Sequence, residues 1–281
     1  MPVQRDVPLI GREPLEGAYF LLTFRHAEVA HQTRPGQYVM IKAGTSAELP
    51  LRRPFSLMSV SAKDDTFTLF VKAVGVGSQA LVALQPGELA QCLGPLGRSF
   101  VPPPEGAQAV MVAGGYGIAP FLMLARERAG RGGAARVFYG GRTAGDLQIR
   151  DAFAELGVPL VAVTQDGSLG ERGLVTEPLE RYLDAPSSAG PPTLYACGPD
   201  AMLHAVARIA ERRGLPCQVS LDPWMGCGIG TCLGCVVWIQ GPGEAQPKYR
   251  CACTDGPVFD SRVVLWPGAV SSDAPCAAAP Q

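Results

Sequence analysis

The chain is poor in charge, in histidine and in aromatic residues. Of its 281 residues 17% are charged and 7% aromatic, and 24 Lys and Arg stand against 25 Asp and Glu for a net charge of −1. The cations form no tract, so nucleic acid or an anionic membrane finds no electrostatic footprint to bind. Met1-Pro-Val-Gln-Arg-Asp lacks the charged and then apolar run of a signal peptide, and a cytoplasmic location is expected. One uncharged stretch, residues 107–125, is long enough to span a bilayer. Gly114, Gly115, Gly117 and Pro120 interrupt it, so it reads as a buried strand, a glycine turn and a helix.

What is present indicates a folded chain. Apolar residues make up 47%, enough for a sizeable core, and the length suits two or three domains. Up to Val101 short apolar runs recur between turn signals: Tyr19–Phe24, Tyr38–Ile41, Phe55–Val60 and Thr66–Val74. They predict a small antiparallel β-barrel over 1–101, with one helical stretch around Ser78–Leu84. Pro102-Pro-Pro-Glu-Gly reads as a linker. Over 105–214, strand candidates (Ala109–Ala113, Arg136–Tyr139, Leu160–Val163, Thr193–Ala196) alternate with helical segments, the pattern of a parallel sheet in an α/β domain. A cysteine- and glycine-rich third block is expected over 215–267, followed by a loose tail, 268–281.

The cysteines are clustered. Cys227, Cys232, Cys235, Cys251 and Cys253 lie close together in a chain without an export signal, which favours a metal site over a disulfide framework. Cys227, Cys232 and Cys235 have the C-x4-C-x2-C spacing of plant-type [2Fe–2S] proteins, with a fourth ligand at Cys251 or Cys253. The intervening glycines let a backbone wrap a cluster and donate N–H groups to sulfur. Structural zinc is the alternative, but it usually brings a second C-x2-C pair or histidines, and His26, His31 and His204 are distant. Cys92, Cys217 and Cys276 read as packing or surface residues.

Two further motifs concern phosphate. Val110-Met-Val-Ala-Gly-Gly-Tyr-Gly-Ile-Ala-Pro passes from strand through a glycine turn into a helix, a context that brings a pyrophosphate to a helix N-terminus. Its spacing is not G-x-G-x-x-G. Leu51-Arg-Arg-Pro-Phe-Ser-Leu places two arginines in an apolar stretch, either as a solvated strand edge or as a phosphate fork.

Together, Arg53-Pro-Phe-Ser56, Gly77-Ser78, Gly94-Pro-Leu-Gly97, Gly114–Pro120, Thr164-Gln-Asp-Gly-Ser168 and Cys197-Gly-Pro-Asp200 resemble the ferredoxin–NADP reductase superfamily across nearly all of residues 1–215. With Met225–Cys235 and Cys253-Thr-Asp-Gly-Pro-Val-Phe, the chain is similar to the electron-transfer subunits of NAD-linked, two-subunit dihydroorotate dehydrogenases. That resemblance implies an oxidoreductase of pyrimidine biosynthesis that relays electrons through its cofactors without catalytic side chains of its own. It implies FAD held by Arg53, Pro54, Phe55, Ser56, Val71, Lys72, Gly77 and Ser78. It implies a nicotinamide nucleotide site from Gly114, Gly115, Gly117, Pro120, Thr164, Asp166, Cys197, Gly198 and Pro199. The cluster ligands would be Cys227, Cys232, Cys235 and Cys253, and the partner an FMN-containing catalytic subunit in a heterotetramer with two copies of each chain. Val71, Lys72 and Gln165 depart from the family's usual residues, and Cys251 is extra. A reductase subunit of hydrogenase or sulfite-reductase type, or a stand-alone ferredoxin reductase, would use the same modules. A redox sensor would need an output domain, and a hydrolase the first glycine that Asp166-Gly-Ser-Leu-Gly lacks. Arg142 leaves NAD against NADP open.

Overall fold

The structure, a computed structural model, describes residues 3–44, 50–185 and 189–266. The expected tail and Cys276 lie outside the described residues.

The first part is a closed antiparallel barrel. Its strands are β1 (Val3–Pro14), β2 (Tyr19–Arg25), β3 (Tyr38–Ala43), β4 (Arg53–Ser61), β5 (Thr66–Lys72) and β6 (Leu89–Leu96), in the spatial order β1-β2-β5-β4-β3-β6. Helices α1 (Ala27–Gln32) and α2 (Val76–Ala83) lie between them in sequence. Alternation explains the barrel: Phe67, Leu69 and Val71 of β5 share its interior with Val7, Leu9, Leu22 and Ile41. Phe70, of opposite parity, packs outward with Tyr19 in a second core shared with the sheet below.

That sheet has seven strands: β7 (Gln108–Gly114), β8 (Ala135–Gly141), β9 (Leu160–Thr164), β10 (Glu171–Arg172), β11 (Pro192–Cys197), β12 (Cys217–Ser220) and, later in the chain, β15 (Val258–Asp260). The order is β10-β9-β8-β7-β11-β12-β15, parallel except for β12 against β15. Helices α3 (Ala119–Gly130), α4 (Arg150–Glu155), α5 (Thr176–Asp184) and α6 (Asp200–Arg212) connect its strands. The uncharged stretch at 107–125 is accounted for here. Every residue of β7 is buried, as for a central parallel strand covered on both faces, and Ala119–Ala125 of α3 is buried over it. Among the described residues no helix is long and apolar enough to cross a membrane.

The C-terminal block adds a two-stranded ribbon, β13 (Val236–Ile239) with β14 (Lys248–Cys251). Two strands of the expected third block do not stay within it: β12 and β15 extend the large sheet. The residues between them rest against the barrel as well. A Cβ on Gly228 would meet Met40 Cγ at 2.5 Å, and the Arg98 N–H donates to the Gly256 carbonyl at 2.6 Å.

Candidate functional site

Strand order reverses at β7, whose neighbours β8 and β11 belong to opposite halves of the sheet. A crevice at the carboxyl ends of such strands is where open α/β sheets bind nucleotides. Gly114–Gly117 follows β7, and Cys197-Gly-Pro follows β11. The two turns approach so closely that a Cβ on Gly117 would stand 2.3 Å from the Cys197 carbonyl oxygen, and one on Gly114 2.6 Å from Pro199 Cδ. Pro120 opens α3, where its missing N–H costs nothing. The Cys197 thiol is pushed up to about 12 by burial and by Asp222, against a hydrogen bond with Ser220.

Thr164 ends β9 and Asp166 follows it, at the same edge of the sheet. Thr164 is buried and closes its loop by donating to the Leu169 carbonyl at 2.9 Å. Asp166 is exposed, and bonds from the Ser168 hydroxyl (2.6 Å) and N–H (2.9 Å) hold its carboxyl below the ordinary range. Arg142 is exposed just past β8.

On the barrel, Arg53, Pro54, Phe55 and Ser56 open β4, where all four keep some exposure. Arg53 lies against the start of α2: a Cβ on Gly77 would meet Arg53 Cγ at 3.1 Å and Nε at 3.3 Å, so glycine lets the arginine cross the helix entrance. Ser78 caps that entrance, accepting the Val74 and Gly75 N–H groups at 3.0 Å each. Charge and helix N-terminus together suit phosphate oxygens. The Val71 side chain is fully buried in the barrel interior. Period-2 alternation puts Lys72 and Phe70 on the outer side instead.

Lys72 reaches across to the sheet. Its Nζ donates to Asp146 Oδ1 at 2.7 Å and lies 4.7 Å from the centre of the Tyr19 ring. Burial would raise the Asp146 carboxyl, but Lys72, Tyr19 and the Arg142 N–H outweigh it and hold it low. Neither Tyr19 nor Asp146 carries a motif, and the sequence reading missed both.

The cysteine loop turns its backbone onto sulfur. Cys227 Sγ accepts from Ile229 N–H at 3.4 Å and Cys232 N–H at 3.5 Å, and Cys253 Sγ accepts from Gly230 N–H at 3.2 Å. Burial acts to raise the Cys227 thiol, but the N–H groups of Ile229, Cys232 and Thr231 bring it down to about 6. Cys253 goes the other way, pushed up to about 12 by burial and by Cys235. Among the described residues no three His, Cys, Asp or Glu side chains are set to hold a metal ion. Cys232 neighbours Cys227, and Cys235 neighbours Cys253. Thiolates at C-x4-C-x2-C spacing with backbone N–H groups aimed at sulfur, and no second C-x2-C pair, are a donor set that suits a [2Fe–2S] cluster better than zinc. Cys251 also neighbours Cys235, and its N–H donates to Asp255 Oδ2 at 3.0 Å. Trp224, which is 93% exposed, and the exposed Ile229 and Leu233 surround the loop with apolar surface.

Three family models match the chain in succession. They are an oxidoreductase FAD-binding domain over residues 13–100, an oxidoreductase NAD-binding domain over 111–208, and the iron-sulfur cluster binding domain of dihydroorotate dehydrogenase B over 222–265. The chain is 36% identical to the dihydroorotate dehydrogenase B (NAD(+)) electron transfer subunit of Bacillus caldolyticus, over 92% of this chain and 100% of that protein. It is 37% identical to the same subunit of Geobacillus thermodenitrificans, over 87% and 91%. For that of Desulforamulus reducens the identity is 34%, over 88% and 92%. A solved structure of an NADH-dependent reduced ferredoxin-NADP oxidoreductase, described for flavin-based electron bifurcation, superposes with a TM-score of 0.80 at 26% identity, over 92% of this chain and 90% of that one.

Proposed function

The chain belongs to the family of dihydroorotate dehydrogenase B electron transfer subunits, and on that premise we propose that it passes electrons between a catalytic partner subunit and NAD in pyrimidine biosynthesis. When bound, FAD exchanges electron pairs with NAD and single electrons with a [2Fe–2S] cluster, a conversion that neither of those carriers makes alone.

One observation carries this reading. Ser56, one of the residues implied to hold FAD, is the register partner of Tyr38, and the Tyr38 hydroxyl donates to the Cys253 carbonyl at 3.1 Å. One residue of β3 therefore adjoins both the flavin strand and a cysteine of the loop. Arg53, with Gly77 and Ser78, holds FAD phosphates, and Gly114–Pro120 with Cys197–Pro199 holds the nicotinamide nucleotide. Cys227, Cys232, Cys235 and Cys253 hold the cluster. In domain terms these are a flavin unit at 1–101, a nucleotide unit at 105–214 and a cluster unit at 215–267.

The exposed Trp224, Ile229 and Leu233 make the cluster loop the face presented to the partner, since an exposed apolar patch marks an interaction site. The partner is a catalytic subunit carrying FMN, two copies of each chain assemble, and the complex is cytoplasmic. The test is reconstitution. The purified chain should show flavin and iron-sulfur absorption and pass electrons from NADH to an artificial one-electron acceptor, but not oxidise dihydroorotate. Adding the catalytic subunit should restore NAD-linked dihydroorotate turnover. Dihydroorotate oxidation by the chain alone overturns the assignment.

A further inference from the structure

The seam between barrel and sheet closes on one carboxylate. Asp146 stands in the single turn after β8, and its Oδ1 accepts from Lys72 Nζ at 2.7 Å and from the Tyr19 hydroxyl at 3.2 Å. It is anchored on its own side first. Oδ2 accepts the Arg142 N–H at 3.2 Å, and the Asp146 carbonyl accepts the Tyr139 hydroxyl at 2.9 Å. Tyr19 in turn stacks on Phe70 with ring centres 5.0 Å apart. The backbones meet at the same place, where a Cβ on Gly17 (φ +66°) would stand 2.9 Å from the Gly145 carbonyl oxygen. The seam ends at the nucleotide turn: the Tyr19 hydroxyl is the atom nearest a Cβ built on Gly115, at 3.8 Å.

The Lys72 and Asp146 side chains are 30% and 17% exposed, so the pair is neither a freely solvated ion pair nor a fully desolvated one. Removing one partner leaves a charge in a place where water reaches it poorly. Lys72 follows Val71 at the end of β5, on the strand face turned toward the sheet.

We propose that Asp146 is a positioning residue for electron exchange between NAD and FAD. It anchors Lys72 and Tyr19, and so fixes both the angle at which barrel meets sheet and the charge Lys72 presents to the flavin. This rests on the proposed reading that Lys72 borders FAD and that Gly114–Pro120 holds the nicotinamide nucleotide. In the step concerned a hydride, one proton with two electrons, passes from NADH to FAD, which gives NAD(+) and FADH⁻. Asp146 transfers nothing.

The test uses the full chain with its cofactors. In Asp146→Asn, NADH should reduce the bound FAD about 10- to 100-fold more slowly by stopped flow, the scale of loss a small misplacement causes. The FAD midpoint potential should move positive, because the Lys72 charge is no longer balanced. Asp146→Glu, which keeps the carboxylate, should restore most of the rate. In a Lys72→Met background, Asp146→Asn should have no further effect, and this cycle still reads the pair if the single Asn variant folds poorly. Asp146→Asn with bound FAD, the parent rate and the parent potential overturns the proposal alone. So does an undiminished effect of Asp146→Asn in the Lys72→Met background. A parent chain that binds no FAD overturns the flavin-site reading, and the proposal with it.

Discussion

The turn at Gly114–Gly117 and the loop at Gly226–Gly234 are similar in composition, yet they use glycine in different measure: close packing dominates the first, and backbone bending the second, where Gly228 also makes room, for Met40. In the first, glycine makes room. Side chains at Gly114 and Gly117 would collide with Pro199 and with the Cys197 backbone, and the turn is framed by the buried β7 and Ile118. In the second, glycine bends. Gly228 and Gly230 have φ of +76° and +81°, a region side chains rarely adopt, and that bend turns N–H groups toward sulfur. A Cβ on Gly226 or Gly234 would meet only Cys232 Sγ, at 3.3 and 3.6 Å, among nearby side chains. The nucleotide turn is a product of packing between strands. The cysteine loop is chiefly a product of local conformation, seated on the barrel at Gly228 and completed by what its sulfurs bind.

The comparison breaks most visibly at the cysteines. Cys232→Ser should remove iron-sulfur absorption and abolish coupling to the catalytic subunit while NADH still reduces bound FAD. Parent-level coupling without the cluster would defeat the relay. Cys251→Ser, by contrast, should keep full iron content, and iron loss there would move the fourth ligand from Cys253. Next comes Gly117→Ala, whose Cβ must displace the Cys197 carbonyl. It should slow reduction by NADH about 100-fold with iron and FAD unchanged, read by stopped flow. Arg53→Ala removes a charge-assisted contact worth about 1.5–3 kcal/mol, or roughly tenfold to 150-fold in FAD affinity, measured by flavin stripping and titration. The smallest effect is that of Tyr38→Phe, which leaves the Cys253 carbonyl without its donor. It should cost about 1 kcal/mol of stability by denaturant titration, with both cofactors retained.

Elements with a strong local signature were legible in the sequence. The runs at Tyr19–Phe24, Tyr38–Ile41 and Phe55–Val60 became β2, β3 and β4, and the helical segments between the later strands became α3 to α6. The strands β1 and β6 were not legible. β1 carries Pro8, Gly11 and Pro14 with a register shift between Leu9 and Gly11, and β6 contains Gly94-Pro95, so turn signals sit inside pairing segments. Short α1, one and a half turns capped by His26, has too few residues to show a period. In the candidate site, motif residues stood out because their spacing is local. Asp146 and Tyr38 were not, because Thr143-Ala-Gly-Asp reads as an ordinary loop and Tyr38 as one more strand residue. Their partners lie far off in sequence, at Lys72 and Cys253. The same long range hid β12 and β15, whose short runs gave no sign that they would pair with each other across the cysteine block.

That pairing has a consequence for how such a chain can change over time. The backbone leaves the sheet after Ser220 and returns at Val258, and these two residues are register partners. Their strands are about 5 Å apart, so the whole cysteine segment is a detour that starts and finishes at one spot. Doubling the length of a flexible detour costs only about 0.6 kcal/mol in closure. Its exposed stretches can therefore lengthen or shrink while the sheet keeps its register, whereas its packed residues, Gly228 on Met40 and Cys253 on Tyr38, stay tied to the barrel. The exposed rim of the loop, with Trp224, Ile229 and Leu233, is thus free to vary on a base that both the sheet and the barrel hold fixed.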